Sequence, residues 1–432
     1  MFTSTDYRTG HQWGLIAMYL LFEYVRPQDI FPFLRILHLP MIVLLLIFYA
    51  TIRNKADLTL FPTKTFMALL CLLAIHVPLA SNNYYAYLTS RSMVLIFIVY
   101  LGIVSLLKSE VNILKCFQWW MGVAVICAVK GYMEGGKIAN SAFLGDENDF
   151  ATFVIMMIPF SYFSIFYARK YLSRVSCIIF VILLVVAGIS SMSRGGFVAM
   201  CVVSVFCWSY SARKVISSVF IVVGVCAFIL FVPPEYRHEM QSIFDHDTYE
   251  TGTGGVRLHL WRAGIRMFRD HPVIGVGGGN FQWRVIEYEQ EGFRGRTHGG
   301  KQAHSIYLTL LPELGIVGTV LFAILILLPT LEQIKLNRSV RPWIKKLKRD
   351  GPVGKHEMYL FKRLERMALI QRGLWGGLVA LLVNGAFLSL LYYPHVWIFI
   401  GFMVASNMAM RNILSEFGIV QGLEKTEPGA ST

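Results

Sequence analysis

Charged residues are scarce in this sequence: only 15% of its 432 residues are Asp, Glu, Lys or Arg. A water-soluble protein carries about a quarter charged residues, because charged side chains cover much of its surface. Hydrophobic residues instead make up 55% of the chain, and the mean hydropathy is +0.55. This composition excludes a cytosolic enzyme and a nucleic-acid-binding protein, and it predicts a protein that lies in a membrane.

Cysteine is rare as well, with seven residues in the whole chain. All seven lie in or beside apolar segments, so the disulfide framework of a small secreted domain is not expected. The sequence also shows no cleavable signal peptide, and we expect the first apolar segment to remain in the protein.

Metal-binding and acidic catalytic motifs are missing from the longest polar segment. Its five histidines have no zinc-motif spacing such as His-Glu-x-x-His: His238, His246, His259, His271 and His298. Five of its carboxylates are better explained as a solvated surface than as a glycosidase pair: Asp245, Asp247, Glu287, Glu289 and Glu291. A DxD-like cluster is missing too, and we therefore expect no metal and no other cofactor.

Long apolar runs, in contrast, recur from one end of the chain to the other. Each has roughly 20 residues, enough for a helix to cross a hydrocarbon core of about 30 Å. We predict an all-α membrane protein with about twelve transmembrane helices. Their expected ranges are 12–25, 36–52, 65–80, 92–107, 113–130, 149–168, 173–190, 195–210, 215–233, 304–329, 372–391 and 394–411.

The net charge of +14 mainly reports the orientation of these spans. Most Lys and Arg fall on one set of alternate connections, which the positive-inside rule assigns to the cytoplasm together with both termini. The most basic of these connections, residues 330–371, is amphipathic. We interpret it as an interfacial helix held by anionic membrane lipids.

The spans and their connections give the predicted organisation of the chain. It comprises a nine-span bundle (1–233), a large, partly helical outer loop with amphipathic helices (234–303), a tenth span (304–329), the basic cytoplasmic loop (330–371), two further spans (372–412) and a cytoplasmic tail (413–432). The outer loop is too rich in aromatic residues and leucine to be disordered, and long ordered loops are usually functional.

Within the outer loop, residues 256–270 have the pattern of an amphipathic helix. One narrow face carries three arginines, for which lipid phosphates or water would be sufficient partners: Arg262, Arg266 and Arg269. Arg257 differs, because it projects among apolar residues one turn before Trp261. A guanidinium on a buried side needs an anionic partner, so Arg257 is a candidate for ligand binding.

His304 opens the tenth span on the outer side, where a substrate could reach it. Its neutral imidazole can accept a proton from a hydroxyl group near physiological pH, and a helix N-terminus disfavours the imidazolium. A purely structural role stays open for a single interfacial histidine. Tyr307 lies one turn further on the same side, whereas Glu313 lies about half a turn round and is expected to be structural.

Two more arginines lie on the outer side, against the positive-inside bias. Arg194, flanked by glycines, lies between the seventh and eighth spans, and Arg91 begins the fourth. A glycine-rich run, 275–279, precedes Asn280 and could offer backbone N–H groups to phosphate. It lacks the strand and the Lys-Ser/Thr of a nucleotide-binding loop, so a tight turn is favoured.

Together these motifs resemble the signature of the O-antigen ligase and polymerase superfamily. The resemblance rests on His304-Ser305-Ile306-Tyr307-Leu308, on Glu313-Leu314-Gly315-Ile316-Val317-Gly318, on Ser193-Arg194-Gly195, and on the run from Arg257 through Trp261 and His271-Pro272 to Gly275–Phe281. Residues 145–149 look like a degenerate version of the family's Asn-rich outer loop. The resemblance covers about 145–320 and is specific for the superfamily rather than for one member.

The resemblance implies a glycosyltransferase of the bacterial inner membrane whose active site faces the periplasm. Its donor would be a glycan on undecaprenyl pyrophosphate and, for a ligase, its acceptor would be a sugar hydroxyl of the lipid A-core. An O-antigen polymerase or a protein O-oligosaccharyltransferase would differ in the acceptor. A transporter of a lipid or anion is the alternative from another class, although it would favour ionisable groups at mid-membrane over the outer rim.

The resemblance also assigns roles to the candidate residues. His304 would be the general base and Arg194 and Arg257 the pyrophosphate binders. Arg266 and Arg91 are further candidates for donor binding, and three residues would support the site: Tyr307, Asn280 and Trp261. Because undecaprenyl pyrophosphate is a good leaving group, a single inverting displacement without metal or covalent intermediate is expected.

Overall fold

The computed structural model describes residues 12–139, 141, 143–211, 213–231, 253–289 and 298–418. Within these ranges every regular element is a helix and no strand occurs, which confirms the predicted all-α class. Two parts of the predicted outer loop, 234–252 and 290–297, and the end of the tail lie outside the described residues.

Most of the described α-helices follow the apolar runs of the sequence. They are α1 (Trp13–Leu20, continued by a π-helical turn, Leu21–Val25), α2 (Pro27–Ile30), α3 (Leu39–Arg53), α4 (Phe61–Leu79), α5 (Asn83–Leu106), α6 (Glu110–Met133), α7 (Glu147–Tyr167), α8 (Tyr171–Ser190), α9 (Arg194–Tyr210), α10 (Lys214–Phe231), α11 (Thr253–Asp270), α12 (Phe281–Tyr288), α13 (Ile306–Asp350), α14 (Gly354–Gly385) and α15 (Pro394–Glu416).

Each predicted span overlaps one of these helices. Among the described residues, nine helical segments are long and apolar enough to cross a membrane, so the chain is a multi-pass membrane protein. Two further segments, Trp13–Val25 and Arg194–Tyr210, are apolar but shorter. The predicted number of about twelve therefore stays a prediction, although nine of the twelve meet the criterion of length and apolarity.

The centre of the bundle is formed by α7, α14 and α15, whose side chains are mostly buried. Glycines on α14 let its neighbours approach closely: a Cβ at Gly376 would lie 2.3 Å from Pro159, and one at Gly377 would lie 2.4 Å from Phe399. Small residues at helix interfaces allow the close packing on which membrane bundles depend.

The basic segment 330–371 differs from its prediction as a separate interfacial helix. Residues 330–350 continue α13, and residues 354–371 are the first half of α14. Buried leucines on both helices, including Leu336 and Leu364, join the main hydrophobic core. Part of the apolar stripe therefore packs within the protein, and the contact of this segment with membrane lipids stays a prediction.

Candidate active site

The helix α11 has the two faces that its sequence predicts. Leu260, Ala263 and Met267 are fully buried and form a small hydrophobic cluster with residues of α12 and of the segment before α13. Arg262 and Arg269 are exposed. Arg257 is half-buried, on a different side from the exposed arginines, as the helical periodicity predicts.

The glycine-rich run is a tight turn that fits against a break in α13. At Gly315 the helix is interrupted by a φ of +60°. The amides of Ile316 and Val317 donate hydrogen bonds to the carbonyls of Pro272 and Val273. In the opposite direction, the amides of residues 276 and 277 donate to the carbonyls of residues 312 and 313. Four hydrogen bonds thus replace helical ones, and the buried backbone stays satisfied.

This turn requires glycine because it leaves no space for a side chain. Gly275 has a φ of +78°, and a Cβ there would lie 2.4 Å from the backbone of Glu313. The left-handed conformation is costly for residues with a Cβ, and the space is already filled. The preferred interpretation of the run as a structural turn therefore agrees with the geometry.

Glu313 lies beneath this turn, 3% exposed. Its Oε2 accepts hydrogen bonds from the Gly279 amide at 2.8 Å and the Tyr392 hydroxyl at 2.6 Å, and its Oε1 accepts one from the Phe281 amide at 2.9 Å. Three hydrogen-bond donors hold this carboxyl group in a fixed position, and the residue also lines a cavity of about 520 Å³. This agrees with the structural role expected for Glu313.

The segment that leads into α13 positions His304. The Trp261 indole N–H of α11 donates to the Ala303 carbonyl at 2.8 Å, and Ala303 is buried. His304 follows in the left-handed region, with a φ of +49°. Non-glycine residues in this region cluster at functional sites, where the surrounding structure supports the strain.

Arg194 and Arg257 line one cavity of about 390 Å³. Its other lining residues come from the turn before α9, from the start of α7 and from residue 135: Gly135, Glu147, Asn148, Ser191, Met192, Ser193 and Gly195. Both helices begin at this cavity, and backbone N–H groups at a helix N-terminus favour anions. The structure thus brings together two guanidinium groups that lie 63 positions apart in the sequence.

His304 is not among the residues that line this cavity, but Arg257, which does line it, influences the charge state of the imidazole. Burial lowers the pKa of the imidazole from its ordinary value of 6.5, and the nearby guanidinium of Arg257 lowers that pKa further. The Asp146 carboxylate opposes this effect, whereas Lys301 adds to it. His304 is therefore predominantly neutral at neutral pH, the form that can accept a proton.

Comparison with known families finds one match: residues 178–323 fit the model described as O-antigen ligase. This part of the chain is therefore similar to the O-antigen ligase family. The matched region is about a third of the chain, and it contains Arg194, Arg257 and His304. No curated protein sequence matches the chain.

Two arginines that the sequence also predicts as donor-binding residues, Arg91 and Arg266, are not among the residues that line this cavity. Arg91 is exposed on α5. Arg266 donates from Nε to the Tyr288 carbonyl at 2.8 Å, which ties α11 to α12. The structure does not bring these two to the other arginines, and their part in donor binding stays a prediction.

Two of the predicted supporting residues connect helices. The Tyr307 hydroxyl donates to the Leu382 carbonyl at 3.0 Å, which joins the start of α13 to α14. Asn280 is fully buried, and its Oδ1 accepts from the Asn82 amide at 2.9 Å. Both side chains hold separate helices together rather than line the cavity.

Polar residues at two helix starts belong to the site and were not among the predicted site residues. Asp146 and Ser193 cap α7 and α9, and the Ser193 hydroxyl donates to Asn148 Oδ1 at 2.6 Å. Glu147 lines the cavity and forms an ion pair with Lys137, with 2.5 Å between Oε1 and Nζ. Ser or Asp before an apolar run is an N-cap pattern, a signal that could have located both helix starts.

A second, larger cavity of about 520 Å³ lies beside the segment that carries His304. Gln302 and Ala303 line it, together with Phe143, Thr89 and Tyr393 among others. The Tyr393 hydroxyl donates to Asp149 Oδ2 at 2.9 Å, which links this cavity to the helix that begins at the first one. Space for a ligand therefore exists at the residues immediately before His304.

Proposed function

We propose that this protein is an inner-membrane glycosyltransferase that transfers O-antigen polysaccharide from undecaprenyl pyrophosphate to a sugar hydroxyl of the lipid A-core. The observation that carries the proposal is the pairing of Arg194 and Arg257 at one cavity, with His304 within electrostatic reach of Arg257. The matched region contains all three residues. The proposed site faces the periplasm, where both lipid-linked substrates would meet.

The two guanidinium groups would bind the diphosphate of the donor. Each can offer paired N–H groups to phosphate oxygens, and the N-termini of α7 and α9 add a favourable dipole. Negative charge on the diphosphate grows as the glycosidic bond breaks. Fixed positive groups therefore stabilise the transition state more than the ground state, which accelerates the reaction.

His304 would act as the general base. The acceptor oxygen forms the new bond to the anomeric carbon while the bond from that carbon to the phosphate oxygen breaks. The hydroxyl proton passes to the neutral imidazole, and the undecaprenyl pyrophosphate leaves with the electron pair. This displacement inverts the anomeric configuration. Glu147, a carboxylate at the same cavity, is paired with Lys137 and is therefore not assigned as a nucleophile.

The test uses the full chain in nanodiscs with a glycan on undecaprenyl pyrophosphate. We expect product with lipid A-core as acceptor, and inverted anomeric configuration in its NMR spectrum. His304→Ala should abolish product and retain donor binding. His271→Ala, a histidine variant in the predicted outer loop, is the matched control and should form product. Product only with a second lipid-linked glycan would establish a polymerase, and product only with a protein acceptor an oligosaccharyltransferase. Unchanged transfer by His304→Ala would remove the base assignment.

A further inference from the structure

Three potential metal ligands from separate elements meet on the outer segment, apart from the cavity with Arg194 and Arg257. They are His259 of α11, Glu289 after α12, and His298 before α13. The ligand atoms of all three lie within 4.8 Å of one another. His298 Nδ1 lies 3.1 Å from Glu289 Oε1, and His259 Nε2 lies 3.7 Å from the same oxygen.

These distances fit three ligands that bind the same tetrahedral metal ion. Zinc binds imidazole nitrogen and carboxylate oxygen at about 2.0–2.2 Å, so two ligands of one tetrahedral ion are about 3.3–3.6 Å apart. The observed separations of 3.1 and 3.7 Å lie close to that interval. The two imidazole rings have centroids 5.6 Å apart, and their ligand nitrogens lie within 4.8 Å of each other and of the carboxylate oxygen.

The three side chains are also buried and oriented as metal ligands usually are. Their exposed fractions are 12% for His259, 2% for Glu289 and 7% for His298. The His298 amide donates to Glu289 Oε2 at 3.0 Å, which fixes the carboxylate with its other oxygen toward the histidines. Hydrogen bonds of this kind orient the residues that bind a metal ion directly.

We propose that His259, Glu289 and His298 bind one Zn²⁺ ion, with water as the fourth ligand. Two imidazoles and a carboxylate suit zinc, whereas magnesium and calcium prefer oxygen ligands alone. The ion is structural. It joins α11, which carries Arg257, to the segment that carries His304, and it takes no part in the displacement itself. The proposal therefore stands or falls independently of glycosyl transfer.

The first test measures metal content without any assay of activity. Full-length protein with a tag that contains no histidine is treated with EDTA, dialysed and titrated with ZnCl₂. Calorimetry should give one bound Zn²⁺ per chain, with no binding of MgCl₂ or CaCl₂. Glu289→Gln and His298→Gln should each weaken zinc binding at least about tenfold, and His271→Gln, the matched control, should bind as the wild type does.

The second test observes the ligands of the ion directly in the wild-type protein. Wild-type protein titrated with CoCl₂ should develop the visible absorption bands of a four-coordinate cobalt ion with nitrogen and oxygen ligands. Zinc should abolish these bands and raise the melting temperature of the wild type. A featureless cobalt spectrum, or zinc binding by the wild type that equals that of a His259→Gln/Glu289→Gln/His298→Gln triple variant, would overturn the proposal.

Discussion

The indole of Trp261 donates a hydrogen bond to the carbonyl oxygen of Ala303 over 2.8 Å. This bond joins the helix that carries Arg257 to the segment that carries His304, one turn after the first and one residue before the second. The elements that carry the two proposed functional groups are therefore joined by a direct hydrogen bond. Small displacements of such supporting contacts lower catalytic rates strongly, because the reacting groups leave their productive geometry.

Replacing Trp261 by Phe tests this connection. The variant keeps the ring but loses the N–H, and the buried Ala303 carbonyl loses its donor. We expect turnover to fall by about tenfold or more and the free energy of unfolding to fall by about 1 kcal/mol. Donor affinity should change less than turnover, in single-turnover assays with labelled donor. Trp343→Phe, in a partly exposed position, is the control; equal effects in both variants would contradict the connection.

Substitution of the cavity arginines by lysine tests how the donor is bound. Lysine keeps the charge but cannot present two parallel N–H groups. Arg194→Lys and Arg257→Lys should each reduce donor affinity by about tenfold, since bidentate charged hydrogen bonds are roughly twice as strong as neutral ones. Arg269→Lys, exposed on the same helix as Arg257, should behave as the wild type. Equilibrium binding of labelled donor is the measurement, and normal affinity in both cavity variants would reject their role.

The pH dependence of turnover tests the base. Because burial and Arg257 lower the pKa of His304, the neutral form persists below pH 6.5, and activity should fall only under more acidic conditions. Removing positive charge with Arg257→Gln should raise that pKa and move the acidic limb of kcat/KM to higher pH. Asp146→Asn removes a carboxylate that raises the pKa, so the limb should move to lower pH. Identical profiles for all three proteins would exclude His304 as the titrating group.

Two glycine variants distinguish the cost of backbone strain from the cost of steric overlap, one in the turn that packs against α13 and one in the segment before α13. Gly275 and Gly300 have φ values of +78° and +82°, but only Gly275 has neighbours that a Cβ would meet. Gly300→Ala should cost only the left-handed penalty of about 1–2 kcal/mol. Gly275→Ala should cost several kcal/mol more, because the displaced atoms belong to the backbone of the broken helix. Urea denaturation in mixed micelles measures both, and equal losses would show that the close packing is unimportant.

The sequence predicts helices and faces well where a periodic apolar pattern decides them. Apolar runs locate the spans. The helical period of 3.6 residues places Arg257 on a different side of α11 from the exposed Arg262 and Arg269. The same pattern is ambiguous in 330–371, because an apolar stripe can contact lipid or another helix, and the sequence does not show that Leu336 and Leu364 pack against other helices.

The sequence could not show which residues from distant parts of the chain lie close together in space. His259, Glu289 and His298 lack a motif spacing because each comes from a different element, and only the tertiary fold brings them together. The same reason explains why Asn148 and Ser193 were not predicted beside Arg257. Conversely, Arg266 shares a helix with Arg257 but contacts the Tyr288 carbonyl instead.

The break at Gly315 has a consequence for how this protein could be divided or exchanged. Since the amides of Ile316 and Val317 rely on carbonyls of residues 272 and 273, the outer segment cannot complete its own secondary structure without the tenth span. A chimera that transplanted only 253–289 would leave polar backbone groups of both partners unmatched inside the protein. Any functional graft of this segment must carry the first three turns of α13 with it.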